Sequence, residues 1–243
     1  MGRNASVNGT SRYRRNLDAS HLFQVLDAPM TKKHYRRGEE ICSGACASDF
    51  WYRVVSGAAK RYVTLSNGRQ RIVDLLLPGD MFACSLDDPS DVSIEADQSN
   101  VSIEAAAEGT ELACYSRRRV SLLANSDPCS ATLPGEIAVE TVSRLQAQLL
   151  ILGRTTALEK IGAFLLELAK RQTGQAADGV VLPISRYDIA DYLALSVETV
   201  SRSLTGLKAR GLISFKSVRS IKIVNREALE DRADAREAIM QMH

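Results

Sequence analysis

Glu198, Ser201 and Arg202 sit at positions i, i+3 and i+4 of a segment whose apolar residues, Val200, Leu204 and Leu207, recur at helical spacing. One helical turn therefore brings a carboxylate, a hydroxyl and a guanidinium to a single face. The chemistry open to such a trio is hydrogen bonding to the edges of bases. Arg202 can donate two bonds to O6 and N7 of a guanine, and Glu198 can accept from the amino group of a cytosine. Ser201 suits a thymine methyl or a phosphate. A carboxylate among phosphates is repelled, so Glu198 is easier to explain as a reader of a base than as a filler. It can also orient Arg202 one turn further on.

Two helices must hold these residues. Ser185-Arg-Tyr-Asp188 has the spacing of a capping box and starts a short helix carrying Ile189, Ala190 and Leu193. Ala194-Leu195 forms the turn, where a Gly is common. Ser196 caps the second helix, and Glu198 in its first turn suits the positive end of the helix dipole. Ala190 is the small residue needed where the helices cross, and Leu195 and Val200 lock the second helix down. Ser185, Ser196, Thr199 and Ser203 are the hydroxyls placed to touch the DNA backbone. Gly211 to Phe215 and Ser220 to Val224 read as two strands, with Lys216 to Arg219 as a connecting wing. Lys216 and Arg219 would meet phosphates there. The bland alternative is a small helical hairpin with a charged outer face; caps, turn, crossing residue and wing together favour a winged helix-turn-helix on double-stranded DNA.

Charge supports the same end of the chain. The 243 residues carry a net charge of only +2, with 25% charged residues. Yet Arg202, Lys208, Arg210, Lys216, Arg219, Lys222 and Arg226 fall between Thr199 and Arg226 with no acid among them. Such a basic block in a nearly neutral chain is the footprint of a nucleic-acid site, or else a solvated face. Between Arg71 and Arg117 the reverse holds. That span has ten Asp and Glu residues and no Lys, Arg or His.

Upstream, residues 1–16 read as a flexible tail. From 38 to 115 the chain reads as short strands: Phe50 to Ser56, Ala58 to Leu65, Gln70 to Leu77, with Asn67-Gly68 as a hairpin turn. Val92 to Ala96 recurs word for word as Val101 to Ala105, and the two copies are expected to pair. Closely spaced strands suggest a β-sandwich or jelly roll. Ser116 can cap a short helix through Ala124. A long helix over 135–152 carries Ala138, Val142, Leu145, Leu149 and Leu152 at coiled-coil spacing, broadened by Ile137, Thr141, Gln148 and Ile151. That line predicts a homodimer; packing onto the chain's own β domain is the alternative. Gly153 ends this helix, and Thr155 to Arg171 forms another.

Other functions find little support. There is no P-loop, G-x-S-x-G, H-E-x-x-H or dinucleotide fingerprint, so an enzyme is not expected. Cys42 and Cys46 are one residue too far apart for a C-x-x-C redox motif. Five scattered cysteines argue against a disulfide framework and are expected as buried or strand-borne thiols. No apolar run approaches the roughly 20 residues of a membrane span, and no secretory signal is visible, so a cytoplasmic protein is expected.

These features resemble the Crp/Fnr superfamily of bacterial transcription regulators over about residues 20 to 230. Gly38, Ser56-Gly57, Asn67-Gly68 and Pro78-Gly79-Asp80 are similar to that family's β-roll glycine pattern. Glu198-Thr-Val-Ser-Arg202 resembles its E-x-x-S-R recognition motif, in the form of the Fnr-like members that read TTGA-type half-sites. Leu152-Gly-Arg-Thr-Thr-Ala-Leu-Glu-Lys160 and Leu195 to Arg202 resemble the FixK branch, which controls genes of low-oxygen respiration and nitrogen fixation in rhizobia. The resemblance implies an α+β fold. A β-roll (jelly-roll, cyclic-nucleotide-binding-like) domain over 17–134 would be followed by a dimerisation helix over 135–153 and a winged helix-turn-helix over 154–243. It implies a homodimeric activator on a palindromic promoter site, working with RNA polymerase. The departures matter as well. The stretch corresponding to the family's phosphate-binding Arg, Phe82 to Ala106, has no basic residue, and no cysteine precedes Cys42 where Fnr holds an iron–sulfur cluster. With only His21, His34 and His243, haem has little to bind to. No cofactor is expected. The alternative is a sensor in which an unidentified small ligand or a redox signal at the β-roll gates DNA binding.

Overall fold

The computed structural model describes residues 31–43, 50–84, 101–126, 133–172 and 179–234. In its N-terminal half, eight antiparallel strands make two four-stranded sheets. One sheet has the order β1 (Thr31–Tyr35), β8 (Thr110–Ser116), β3 (Phe50–Ser56), β6 (Met81–Ala83). The other has the order β2 (Glu40–Ser43), β7 (Val101–Ala105), β4 (Ala59–Thr64), β5 (Gln70–Leu76). Alternation decides which side chains enter. On β7, Ile103 and Ala105 are buried, while Ser102 and Glu104 face outward. Tyr52, Val54, Leu76, Phe82, Ile103 and Leu112 fill the space between the sheets.

Two turns require glycine. Gly68, at φ +76°, donates its N–H to the Leu65 carbonyl and closes the expected β4–β5 hairpin. Gly57, at φ +78°, joins β3 to β4 with the buried Thr110 so close that an added Cβ would lie 2.6 Å from its Oγ1.

The strand reading needs three corrections. Among the described residues the first strand begins at Thr31, ahead of the expected 38. β7 pairs with β2 on one edge and β4 on the other, so the second copy of the repeat has no edge left for the first; that first copy, 92–96, lies outside the described residues, as does the tail 1–16. Finally, Cys42 and Cys84 are joined in a disulfide, where separate thiols were expected. Their separation of 42 residues in sequence hid the pairing, because spacing says nothing of which edges meet across a sandwich.

Helices follow. α1 spans Arg117–Ser126, starting one residue after Ser116, which closes β8. α2 spans Leu133–Leu152 and α3 Ala157–Arg171. Thr156 and Glu159 form the capping box that starts α3. α2 has two faces. Ile137, Gln148 and Ile151 are buried against the chain's own body and Arg144 reaches inward, so these residues do not broaden the outer line as expected. Ala138, Val142, Leu145 and Leu149 are exposed, Leu149 at 67%. The seam is therefore not packed on the β-roll of its own chain.

The C-terminal part adds α4 (Arg186–Tyr192), α5 (Val197–Ala209) and a three-stranded sheet, β10 (Ile213–Phe215), β11 (Ser220–Ile223), β9 (Gly179–Val181). β9 and α6 (Arg226–Asp234) were not expected. A second core, separate from the one between the sheets, joins the β-roll to the C-terminal part. Ala58, Ile72, Leu75 and Leu77 of the β-roll join Leu165, Ile189, Leu193, Val200 and Leu207. Each fully buried Leu or Ile stabilises by about 1.5–3 kcal/mol.

Candidate nucleic-acid interface

The α4–α5 pair is built as its caps dictate. The Ser185 hydroxyl accepts from the Asp188 N–H, and the Asp188 side chain accepts from the Ser185 N–H, completing the capping box. Ala194 takes φ +52°, the left-handed conformation the turn demands, without the glycine that adopts it most easily. The Leu195 N–H donates to the Ala190 carbonyl at 2.8 Å and closes the corner. Ser196 caps α5 by accepting from the Thr199 N–H at 3.1 Å. Behind α5, Val200, Leu204 and Leu207 are buried. The helix is thus anchored on one side and open on the other.

Glu198 and Arg202 lie exposed on that open side, in the first turns of α5. The Glu198 carboxyl is held below the usual carboxylate range by its own backbone N–H, with further help from the Ser196 hydroxyl and the Arg202 charge. It is therefore an acceptor only, as a partner for an amino group must be. Ser201 is half-buried, and its hydroxyl accepts from Arg186 Nη1 at 3.3 Å. Arg186, the first residue of α4, was missed in the sequence; nothing in its spacing shows that α4 lays it across α5. Thr199 is half-buried, and its hydroxyl lies 2.9 Å from that of Ser196. Ser203, expected among the backbone contacts, is only 7% exposed. It lies one position before Leu204 and turns with it toward the core. Lys216 and Arg219 stand exposed at either side of the wing turn, whose Lys216 N–H donates to the Ser220 carbonyl at 2.8 Å.

Opposite this open face, α4 is docked on the β-roll. Lys60 Nζ donates to Asp188 Oδ1 at 2.6 Å and also pairs with Glu104 at 2.9 Å. Arg37 lies 3.7 Å from the same Asp188 carboxylate. One turn further along, Asp191 accepts from Arg71 at 2.9 Å and from the Ile72 N–H at 2.6 Å. Burial alone would raise the Asp188 carboxyl, but the Lys60 ammonium and Ser185 hydroxyl outweigh it and hold it low. Burial alone would lower Lys60; Asp188 and Glu104 raise it instead. Pairs separated by 119 residues or more in sequence leave no local signal.

A second buried network sits under α2. Arg144 donates to Asp74 Oδ2 at 3.2 Å and lies 3.8 Å from Asp80, which also holds Arg171 of α3. Arg61, lowered from its ordinary value by burial, donates to the Ala83 carbonyl at 3.4 Å. These cations compensate the acid-rich stretch from other elements. The Asp74 and Asp80 carboxylates are thus already paired inside the protein. Among the described residues no group of three or more His, Cys, Asp or Glu is arranged to hold a metal ion, and no helix is long and apolar enough to cross a membrane.

Residues 32–126 match the cyclic nucleotide-binding domain, and residues 159–232 match the Crp-like helix-turn-helix domain. The chain is 37% identical over 215 residues to the nitrogen fixation regulation protein FixK of Rhizobium meliloti, covering 88% of this chain and 93% of that one. It is 28% identical over 220 residues to the transcriptional activator protein FnrL of Cereibacter sphaeroides, covering 88% and 85%. The structure of FixK2 from Bradyrhizobium japonicum superposes with a TM-score of 0.70 at 34% identity, over 83% of this chain and 96% of that one.

Proposed function

We propose, from the premise that this chain belongs to the FixK proteins of the Crp/Fnr family of transcription regulators, that it is a homodimeric activator reading a TTGA-type palindrome in double-stranded DNA. The observation that carries this reading is the exposure of Glu198 and Arg202 on a helix pinned from behind by Val200, Leu204 and Leu207. Arg202 donates to the half-site guanine, and Glu198 accepts from an amino group on the opposite strand. Ser201 is a weaker third contact. Ser185, Ser196, Thr199, Lys216 and Arg219 meet the backbone; Ser203, being buried, is left out.

Dimerisation through Ala138, Val142, Leu145, Leu149 and Leu152 is supported by the apolar face that α2 leaves open. A two-fold dimer sets its recognition helices about one DNA turn, roughly 34 Å, apart. Regulation of low-oxygen respiration and nitrogen fixation genes, in the cytoplasm and with RNA polymerase as a partner, rests on the likeness to FixK. The β-roll acts without cyclic nucleotide, because the stretch Phe82 to Ala106, which corresponds to the family's phosphate site, has no basic residue. The test is a binding assay on the palindrome with purified, metal-free protein and no additive. Tight binding is expected. Binding that appears only when a small molecule is added favours the effector-gated alternative.

A further inference from the structure

We propose that Cys42 and Cys84 are a reversible redox site, whose cross-link joins the two sheets of the β-roll and so holds the helix-turn-helix docked against it. The two Cα atoms are 6.0 Å apart, within the reach of a disulfide. Their placement gives the bond its leverage. β2, which carries Cys42, is an edge strand of one sheet, and β6, which Cys84 directly follows, is an edge strand of the other. Both are short, with three or four residues to hold them in register. The bond therefore closes the sandwich where its ladders are weakest.

Both ends of the bond lead to the docking contact. From Cys42, β2 is in register with β7, which carries Glu104, and Glu104 pairs with Lys60. From Cys84, the preceding Ala83 carbonyl accepts from Arg61, the neighbour of Lys60 on β4. Lys60 in turn holds Asp188 of α4. Loosening either edge strand shifts Lys60, which with Arg37, Arg71 and the Ile72 N–H fastens α4 to the β-roll. In the docked state, Asp188 at the start of α4 pairs with Lys60 and Arg37, and the Ser185 hydroxyl donates to that same carboxylate.

The oxidant is a small hydroperoxide, because both cysteines are buried. One thiolate attacks the peroxide O–O bond, becomes a sulfenic acid and releases the first water. The second thiol displaces the sulfenic oxygen as another water and forms the disulfide. Two thiols lose two hydrogens, and one hydrogen peroxide becomes two waters. A dithiol reverses the step by exchange and ends as its own disulfide. Cys114, the third buried cysteine, has no part in it.

The experiment compares the full chain after hydrogen peroxide and after dithiothreitol, with free thiols blocked and the peptides mapped by mass spectrometry. Amide hydrogen exchange is followed over 185–193 without DNA. The expected result is a Cys42–Cys84 peptide after peroxide only, with exchange over 185–193 at least about fivefold slower in the oxidised form. Cys42→Ser and Cys84→Ser should lose that difference; if either fails to fold, the comparison within the unaltered chain decides. Palindrome affinity, which rests on the proposed DNA reading, should be about fivefold or more weaker when oxidised. A chain that binds no palindrome in either state refutes the DNA reading, while the exchange comparison still judges the redox site. A Cys42–Cys46 link, no link at all, equal exchange in both forms, or tighter DNA binding when oxidised overturns the proposal.

Discussion

On α5 the Arg202 guanidinium lies open to solvent beside Glu198, whereas under α2 the Arg144 guanidinium is 8% exposed and bridges Asp74, at 3%, to Asp80. Both regions use arginine and carboxylate, and the surroundings set the role. A buried pair is locked by low dielectric and serves only its own partners, so it fixes how α2, the β-roll and α3 meet. An exposed pair contributes little to stability and keeps its hydrogen-bonding capacity for a base edge. Charge that holds the fold is thus kept apart from the charge we propose reads DNA.

Substitutions should separate the two regions. Arg144→Ala strands a buried carboxylate and should cost about 3–5 kcal/mol of unfolding free energy, read from denaturant curves. Arg202→Ala should change stability by less than about 0.5 kcal/mol. If the two cost the same, the contrast fails. Between them in kind stands the outer face of α2. Leu145→Glu with Leu149→Glu puts charges on the apolar seam and should convert dimer to monomer in sedimentation, with the monomer still folded because neither side chain belongs to the chain's own core.

Much of this was legible in the sequence where the determinants are local. Ser185 and Asp188, or Ser196 and Thr199, lie three residues apart, and their caps follow from spacing alone. The Asn67-Gly68 turn is equally local. What escaped reading depends on distant parts meeting. Cys42 finds Cys84 only once two sheet edges close on each other. Asp188 was read as a cap and is also the anchor for Lys60. Ile137 and Ile151 share a helix with the seam but point inward, a split that apolar spacing could not resolve. Ser203 shows the same limit, since a hydroxyl beside a recognition motif can still lie on the buried side.

The docking contact between α4 and the β-roll should depend on pH at both extremes. The Asp188 carboxyl is depressed below its ordinary 3.8, so its contribution is present above that value and is lost as pH falls through the folded value. Lys60 is raised above its ordinary 10.5, so its contribution is present below that value and is lost as pH rises through the folded value. Exchange protection over 185–193, taken relative to the intrinsic amide rate at each pH, should therefore hold between about pH 4 and pH 10 and fall outside that window. A smaller effect is expected at the wing. Lys216→Ala and Arg219→Ala should weaken all DNA alike and reduce the salt slope by about one unit per lost contact. An unchanged slope would leave those charges as a solvated face.

The central claim is that Glu198 and Arg202 read bases. Its most direct measurement is binding of the unaltered chain, Glu198→Ala and Arg202→Ala to the palindrome and to each single-base variant, at one fixed salt concentration. Arg202→Ala should lose about 1–3 kcal/mol per half-site, with its discrimination lost at the guanine. Glu198→Ala should bind non-specific DNA more tightly while losing preference at one base pair on the opposite strand. Full preference retained at every position by both variants would contradict the account.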